Sequence, residues 1–336
     1  MIKKQLIGLN VPKINMNIQI VRSSRIELSA MSQVSANAIL DVLEKNYSNP
    51  GIAIVNNLAD LQLLVDQKPD LLFLGMQYVT DEFDGKITKI WISDFLDEHG
   101  IAYTGSNQRA HRLGINKPMS KQAMVDAGIM TSPFQVIKCN NQFVEEIVGL
   151  AYPMFVKPTS QGGGAGIDNR SIVQNIDELR LKVKSLARNN WADSLIENYL
   201  TGREFSVAVI RNENSTELTA MPIELVTQPN INGDSILSRS VKSMNDESVM
   251  RVSNPDVYTK VSLLAIKAFK ALGARDYGRI DIRMDHEGTP HFLEANLIPS
   301  LIQGYGSFPK ACQLNQDLEY EPMILHIINL ALSRAR

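Results

Sequence analysis

The chain has 336 residues, 44% hydrophobic and 21% charged, an ordinary globular composition with room for two or three packed units. Its formal net charge of −2 makes no global electrostatic case for nucleic acid or an anionic membrane as partner. The two cysteines, Cys139 and Cys312, have neither metal-ligand nor disulfide spacing, and no apolar run suits a signal peptide or a membrane span, so a cytoplasmic chain is expected.

Residues 1–105 alternate strand and helix signals. "QLIGLNV", bounded by Pro12, reads as a first strand, "SANAILDVLEKNY" as a helix and "GIAIV" as a short buried strand. "LADLQLLVDQ" is helical up to Pro69, "DLLFLG" is a strand, and "ITKIWISDFLDEHG" reads as an amphipathic helix stopped by Gly100, followed by "IAYTG". This rhythm predicts an α/β unit with a parallel sheet, whose ligand-facing loops are "VPKINMNIQIVRSSRIELS" and "MQYVTDEFDGK".

Residues 106–190 continue with the helix "KPMSKQAMVDAG", the strand "PFQVIKC" and a helix near "NQFVEEIVGL". The strand "YPMFVKP", a glycine-rich loop and a helix with Ile176, Leu179, Val183 and Leu186 on one face follow. From 191 to 336 come the strands "DSLIENYL", "EFSVAVIRN" and "LTAMPIELV", then a polar stretch from Thr227 to Asn254 that is too long for a simple connection. A helix, the hairpin "RIDIRMDHEGTPHFLEAN" and a helix near "MILHIINLAL" close the chain.

Two stretches carry chemistry. In "VKPTSQGGGAGID", consecutive small residues, Gly162, Gly163 and Gly164 among them, let peptide N–H groups line a phosphate-binding concavity, and Lys157 precedes them on a strand. The order of lysine and glycines is not that of a Walker A loop, and the flanking strands exclude a dinucleotide fingerprint; a plain surface hairpin is the alternative. In the hairpin, period-two alternation puts Arg279, Asp281 and Arg283 on one side. Symmetry about Glu287 and Gly288 sets Asp281 opposite Glu294, with Asn296 on the same face and His291, Leu293 and Ala295 on the other. Asp281, Glu294 and Asn296 are hard oxygen ligands that suit Mg²⁺ held together with phosphates, against the alternative of a solvated charged face.

The segments "IAYTGSNQRAHRLGINKPMSKQAM", "YPMFVKPTSQGGGAGI", "IENYLTGREFSVAVI", "DYGRIDIRMD" and "FLEANLIPS" together resemble the ATP-grasp enzymes, and most closely the D-alanine–D-alanine ligases, over nearly the whole chain. The resemblance implies three α/β parts with ATP held between the central and C-terminal ones, and a ligase joining a carboxylate to an amine through an acyl phosphate. It implies that Lys117 and Lys157 hold the phosphates, that Glu197 and Leu200 line the adenine site and that Glu204 holds the ribose. Asp281, Glu294 and Asn296 would bind two Mg²⁺ ions, with Mn²⁺ as a substitute, and Arg279 would stabilise the oxyanion. Gly162, Gly163 and Gly164 would cover the transferring phosphate, and Arg239 or Lys242 in the polar stretch would meet it from a second loop.

The amino-acid pockets depart from the family's pattern. Gly163 and Gly164 stand where the family carries serines, and no tyrosine occurs between Tyr199 and Tyr258, where its mobile loop supplies one. Ser24 falls nearest the family's ammonium-binding glutamate, with Glu27 displaced, and Ser300 replaces the glycine of the acceptor segment. Small-molecule amino or carboxylic acids other than a D-alanine pair are therefore the expected substrates. Strict D-alanyl-D-alanine synthesis, transfer to a carrier-protein thiol, and a non-catalytic ATP-binding regulator stay open. The resemblance also allows a homodimer through the first part.

Overall fold

A computed structural model of the chain describes residues 12–138, 147, 149–160, 162, 164–188, 193–227 and 248–335. The helix expected near "NQFVEEIVGL" falls largely outside these residues, and "QLIGLNV", Cys139, Gly163, Arg239 and Lys242 fall wholly outside. Two compact units result: Met1–Thr104 with Arg334–Arg336, and Gly105–Ser333.

The first unit runs β1 (Ile14–Arg22), α1 (Gln33–Asn46), β2 (Tyr47–Ile54), α2 (Leu58–Asp66), β3 (Leu71–Leu74), β4 (Tyr78–Phe83), β5 (Lys86–Trp91) and α3 (Ile92–His99). The parallel sheet expected from the sequence is present, in the order β2-β1-β3. Tyr103 extends it by a parallel bridge to Leu72. Two assignments change. The segment read as a ligand loop contains β1, whose "INMNIQI" alternation places Ile18 and Ile20 in the core. The second loop and the start of the expected helix form the hairpin β4–β5. Asp84 and Gly85 both have positive φ, the Asp-Gly pattern that closes two-residue hairpins.

In the second unit, α4 (Gln108–Ile115) and α5 (Lys117–Asp126) are each started by an asparagine, Asn107 and Asn116, whose side chain accepts a backbone N–H of the first turn. Next come β6 (Phe134–Ile137), β7 (Met154–Pro158), β8 (Ile172–Val173), α6 (Ile176–Arg188) and β9 (Ser194–Asn198). These four strands form one sheet, ordered β6-β9-β7-β8, whose core includes Val156, Ile196, Leu179 and Leu186. The segment "DSLIENYL", which opens the expected third part, supplies β9 of this sheet.

The second sheet contains β10 (Glu204–Arg211), β11 (Leu218–Val226), β12 (Ser248–Arg251), β13 (Tyr277–Met284) and β14 (Pro290–Asn296), ordered β12-β11-β10-β13-β14. Helix α7 (Pro255–Ala271) covers one face, and α8 (Ser307–Gln316) and α9 (Tyr320–Ala335) complete the chain. Alternation does the sorting: Phe205, Val207, Ile280 and Ile282 join Val261, Ala265 and Phe269 of α7 in one apolar cluster. The opposite face of β10, β13 and β14 is left for polar side chains.

Gly202, between β9 and β10, lies against the backbone of the β13–β14 turn. A Cβ there would come 2.5 Å from Asp285 O and 2.6 Å from Met284 O. Neither atom can swing away as a side chain would. Gly202→Ala should therefore lower unfolding free energy by about 1–3 kcal/mol, the usual cost of overpacking, as measured by urea denaturation.

Candidate nucleotide and metal site

The polar face of the second sheet is organised in cross-strand rows. Glu204 on β10 pairs with Arg283 on β13, which pairs with His291 on β14. The next row is Ser206, Asp281 and Glu294, and the third is Ala208, Arg279 and Asn296. The expected opposition of Asp281 and Glu294 is therefore realised. A register shift separates this pair from Ile282–Phe292, leaving Leu293 as an extra residue. The expectation that His291 occupies the face of the strand away from Glu294 assumed an unbroken alternation. The bulge instead sends Phe292 into the core with Ala295 and sets His291 beside Arg283.

These side chains are already bonded to one another. Asp281 accepts from Arg279 Nε at 3.0 Å and Nη2 at 2.9 Å, from Ser206 Oγ at 2.9 Å and from Asn296 Nδ2 at 3.2 Å. Glu294 Oε2 lies 3.3 Å from Lys117 Nζ, at the start of α5. Burial opposes the charge on Arg279, but Asp281 outweighs it and keeps the guanidinium protonated. In chemistry the donor set fits Mg²⁺: two carboxylates on facing strands with an amide alongside, leaving coordination positions for phosphate and water. Asn296 would present its oxygen after turning its amide. No group of three or more His, Cys, Asp or Glu side chains suited to a metal occurs among the described residues. A site there would draw its remaining ligands from phosphate and water.

A second charge cluster adjoins the first. Glu197 on β9 is buried, with Oε1 2.6 Å from Lys157 Nζ and Oε2 2.8 Å from Lys121 Nζ. Burial alone would raise the Glu197 pKa; Lys121 and Lys157 overcome it and hold the carboxyl at about 2. Burial likewise opposes the charge on Lys157, yet Glu197 and then Glu294 carry its pKa above the ordinary lysine value. Lys121 has no exposed side-chain surface, and there burial prevails and lowers the pKa. Its ammonium also donates to Thr131 Oγ1 at 2.6 Å, and that hydroxyl donates to Phe292 O at 2.8 Å, beside the bulge.

Glu204 is held by Arg283 at 3.0 Å, and the same guanidinium donates to Tyr199 Oη at 3.1 Å. Leu200 is buried just after β9. Gly164 and Gly166 have φ of +76° and +77°, in the region that glycine adopts without steric cost. Ala165 N–H donates to Gly162 O and Ile167 N–H to Gly164 O, so the loop curls through successive turns. Ser300 lies four residues past Asn296, in the irregular segment before α8.

Thus Arg279, Asp281 and Asn296 form one bonded group, Lys117 pairs with Glu294 on the facing strand, and Lys157 with Glu197 forms a further pair. Sequence reasoning missed Lys121, Ser206 and a role for Arg283. Lys121 had a signal, four residues after Lys117 and so on the same helical face. Ser206 becomes visible only through its register opposite Asp281.

Residues 123–329 match the family model described as the D-alanine–D-alanine ligase C-terminus. The chain belongs to the D-alanine–D-alanine ligase family. Membership makes it an ATP-dependent ligase that forms carbon–nitrogen bonds. A D-alanine–D-alanine ligase of Hydrogenovibrio crunogenus is 27% identical over 309 residues, covering 91% of this chain and 92% of that protein. One from Pediococcus pentosaceus is 30% identical over 240 residues, 70% of this chain and 62% of its own length. The crystal structure of the D-alanine–D-alanine ligase from Bacillus anthracis complexed with ATP superposes with a TM-score of 0.73 at 21% identity, covering 95% of this chain and 98% of that one. The fold is therefore the ATP-grasp fold.

Replacing Glu197 by Gln would leave two lysines buried without their anion. Breaking a buried pair this way typically costs about 3–5 kcal/mol, so Glu197→Gln should melt well below the native chain at neutral pH. The folded pKa lies below the ordinary 4.5, so the carboxylate's contribution is complete above about 4.5 and is lost as pH falls toward 2. The gap between native and variant melting temperatures should close across that window in thermal scans at stepped pH.

Proposed function

We propose that this ligase phosphorylates a small carboxylic acid with ATP, then joins the acyl group to an amine, and that its substrates differ from a pair of D-alanines. The observation that carries the reading is the row pattern of β10, β13 and β14, which gathers Glu204, Arg279, Asp281, Glu294 and Asn296 on one face. ATP would lie between the central part, 106–190, and the C-terminal part, 191–336, of a three-part organisation. Lys117 and Lys157 would hold its phosphates, Glu197 and Leu200 the adenine, and Glu204 the ribose. Mg²⁺, when bound to Asp281, Glu294 and Asn296, would neutralise phosphate charge. Phosphoryl transfer of this kind needs alignment and charge neutralisation more than a covalent side chain. Arg279, fixed by Asp281, would stand ready for the oxyanion formed when the amine attacks. The glycine loop would keep water from the acyl phosphate.

The altered substrate choice has its own support. A serine at position 164 would carry a side chain into the φ region that disfavours one. Ser24 spends both its N–H and its hydroxyl on Asn56 Oδ1, at 3.1 Å and 2.9 Å. Glu27 is paired with Arg25 at 2.9 Å and largely exposed. Neither resembles a carboxylate reserved for an ammonium group. Losing such buried polar partners costs orders of magnitude in discrimination.

D-alanine with D-alanine should therefore release ADP more slowly than some other pair in a panel of L- and D-amino acids, small carboxylic acids and a pantetheine thiol, with products identified by mass. Dominant D-alanyl-D-alanine at high kcat/KM would overturn this reading of the substrate. Separately, Glu294→Gln keeps the shape but removes the charge that faces Lys117 and the metal. Turnover with the best pair should fall at least about a hundredfold with the fold intact by circular dichroism. Near-native turnover would make the hairpin face structural.

A further inference from the structure

Lysine is rarely fully buried, because its charge loses water and its long stem loses rotamer freedom. Lys182 on α6 is 4% exposed and sits among Leu179, Val183 and Leu186 on the helix's buried face. Its ammonium donates to Gly166 O at 2.9 Å and to Asp168 Oδ1 at 2.9 Å. Asp168 also starts a short turn, with its side chain accepting from Arg170 N–H and its N–H donating to Ser171 Oγ. The bonds therefore meet where the glycine loop leaves its positive-φ residues, Gly164 and Gly166, and re-enters side-chain-bearing backbone. Those glycines have no side chains with which to restrain the loop. The restraint comes instead from the helix behind it, through one charged hydrogen-bond donor shared between a loop carbonyl and a carboxylate.

We propose that Lys182 is a positioning residue for nucleotide binding: from α6 it fixes the exit of the glycine loop so that the loop's backbone is held ready for the terminal phosphate, without touching the nucleotide. The inference rests on the nucleotide reading above. Its physical basis is preorganisation, since a loop already held at its root loses less conformational freedom when the anion binds. A lysine serving only to fasten helix to loop would affect folding alone. A positioning role predicts a loss that depends on which phosphate the ligand carries.

The test uses the full-length protein, with AMP-PNP and ADP as probes, each with Mg²⁺, titrated by calorimetry. Lys182→Met keeps the apolar stem and removes the ammonium. It should weaken AMP-PNP about tenfold and ADP less than about twofold, and speed amide exchange at residues 164–168 in the free protein, as expected from losing a charge-assisted bond. Asp168→Asn, at a 47% exposed side chain, weakens the same junction from its solvent side and should cost AMP-PNP about threefold. This variant carries the test if Lys182→Met does not fold. Equal losses for both nucleotides, or none for AMP-PNP, would overturn the positioning role while leaving the ligase assignment intact. A native chain that binds neither nucleotide would overturn the nucleotide reading, and this inference with it.

Discussion

A carboxylate taken out of water between two ammonium groups is the constraint around which the second unit is organised. Glu197 lies on β9, Lys157 on β7 and Lys121 on α5, so the triad joins three elements at one point. Each ion alone would be expensive to bury, and each is tolerated because the others are there. Lys121 carries the connection onward through Thr131 to the carbonyl of Phe292, where β14 bulges. The four-stranded sheet and the hairpin of the five-stranded sheet are thereby tied together beside the residues proposed to act. The same cluster sets local chemistry: Lys157 stays charged because Glu197 and Glu294 outweigh its burial.

A second constraint is the bulge itself. Had β14 kept strict alternation, Phe292 would have faced the polar side and His291 the core. The extra residue at Leu293 returns Phe292 to the apolar cluster while keeping Asp281 opposite Glu294. Core packing and the charged row are satisfied together only because the strand slips by one residue between them. Bulges recur where a strand must re-aim a side chain for a functional purpose.

The charged face is held in a self-consistent resting state. Arg279, Ser206 and Asn296 all bond to Asp281, and Lys117 pairs with Glu294. For the roles proposed, the carboxylates Asp281 and Glu294 are already aligned on facing strands, and Lys157 is held in its charged form. Such prior alignment is what lets a site stabilise charge without reorganising during the reaction. The proposed roles thus call for exchange of partners within an existing network.

Much of this was legible in the sequence. Alternation in "RIDIRMD" and "FLEAN" separates core from polar positions, and the symmetry of the turn predicts Asp281 against Glu294, because both signals depend only on neighbours along the chain. The ordered motifs were enough for the family. Other features were hidden. The "INMNIQI" strand was mistaken for a loop because its alternation is carried by asparagines, which disfavour strands. The Asp84-Gly85 turn was passed over, although its residues are the usual ones for a hairpin. Sequence by itself determined the residue types, their periodicity and hence the family of folds open to them. Only the tertiary structure decided that Lys121 and Lys157 share Glu197, that Ser206 faces Asp281, and that Lys182 reaches the glycine loop. Those contacts join segments distant in sequence, and burial, not local pattern, decides which charges must find one another.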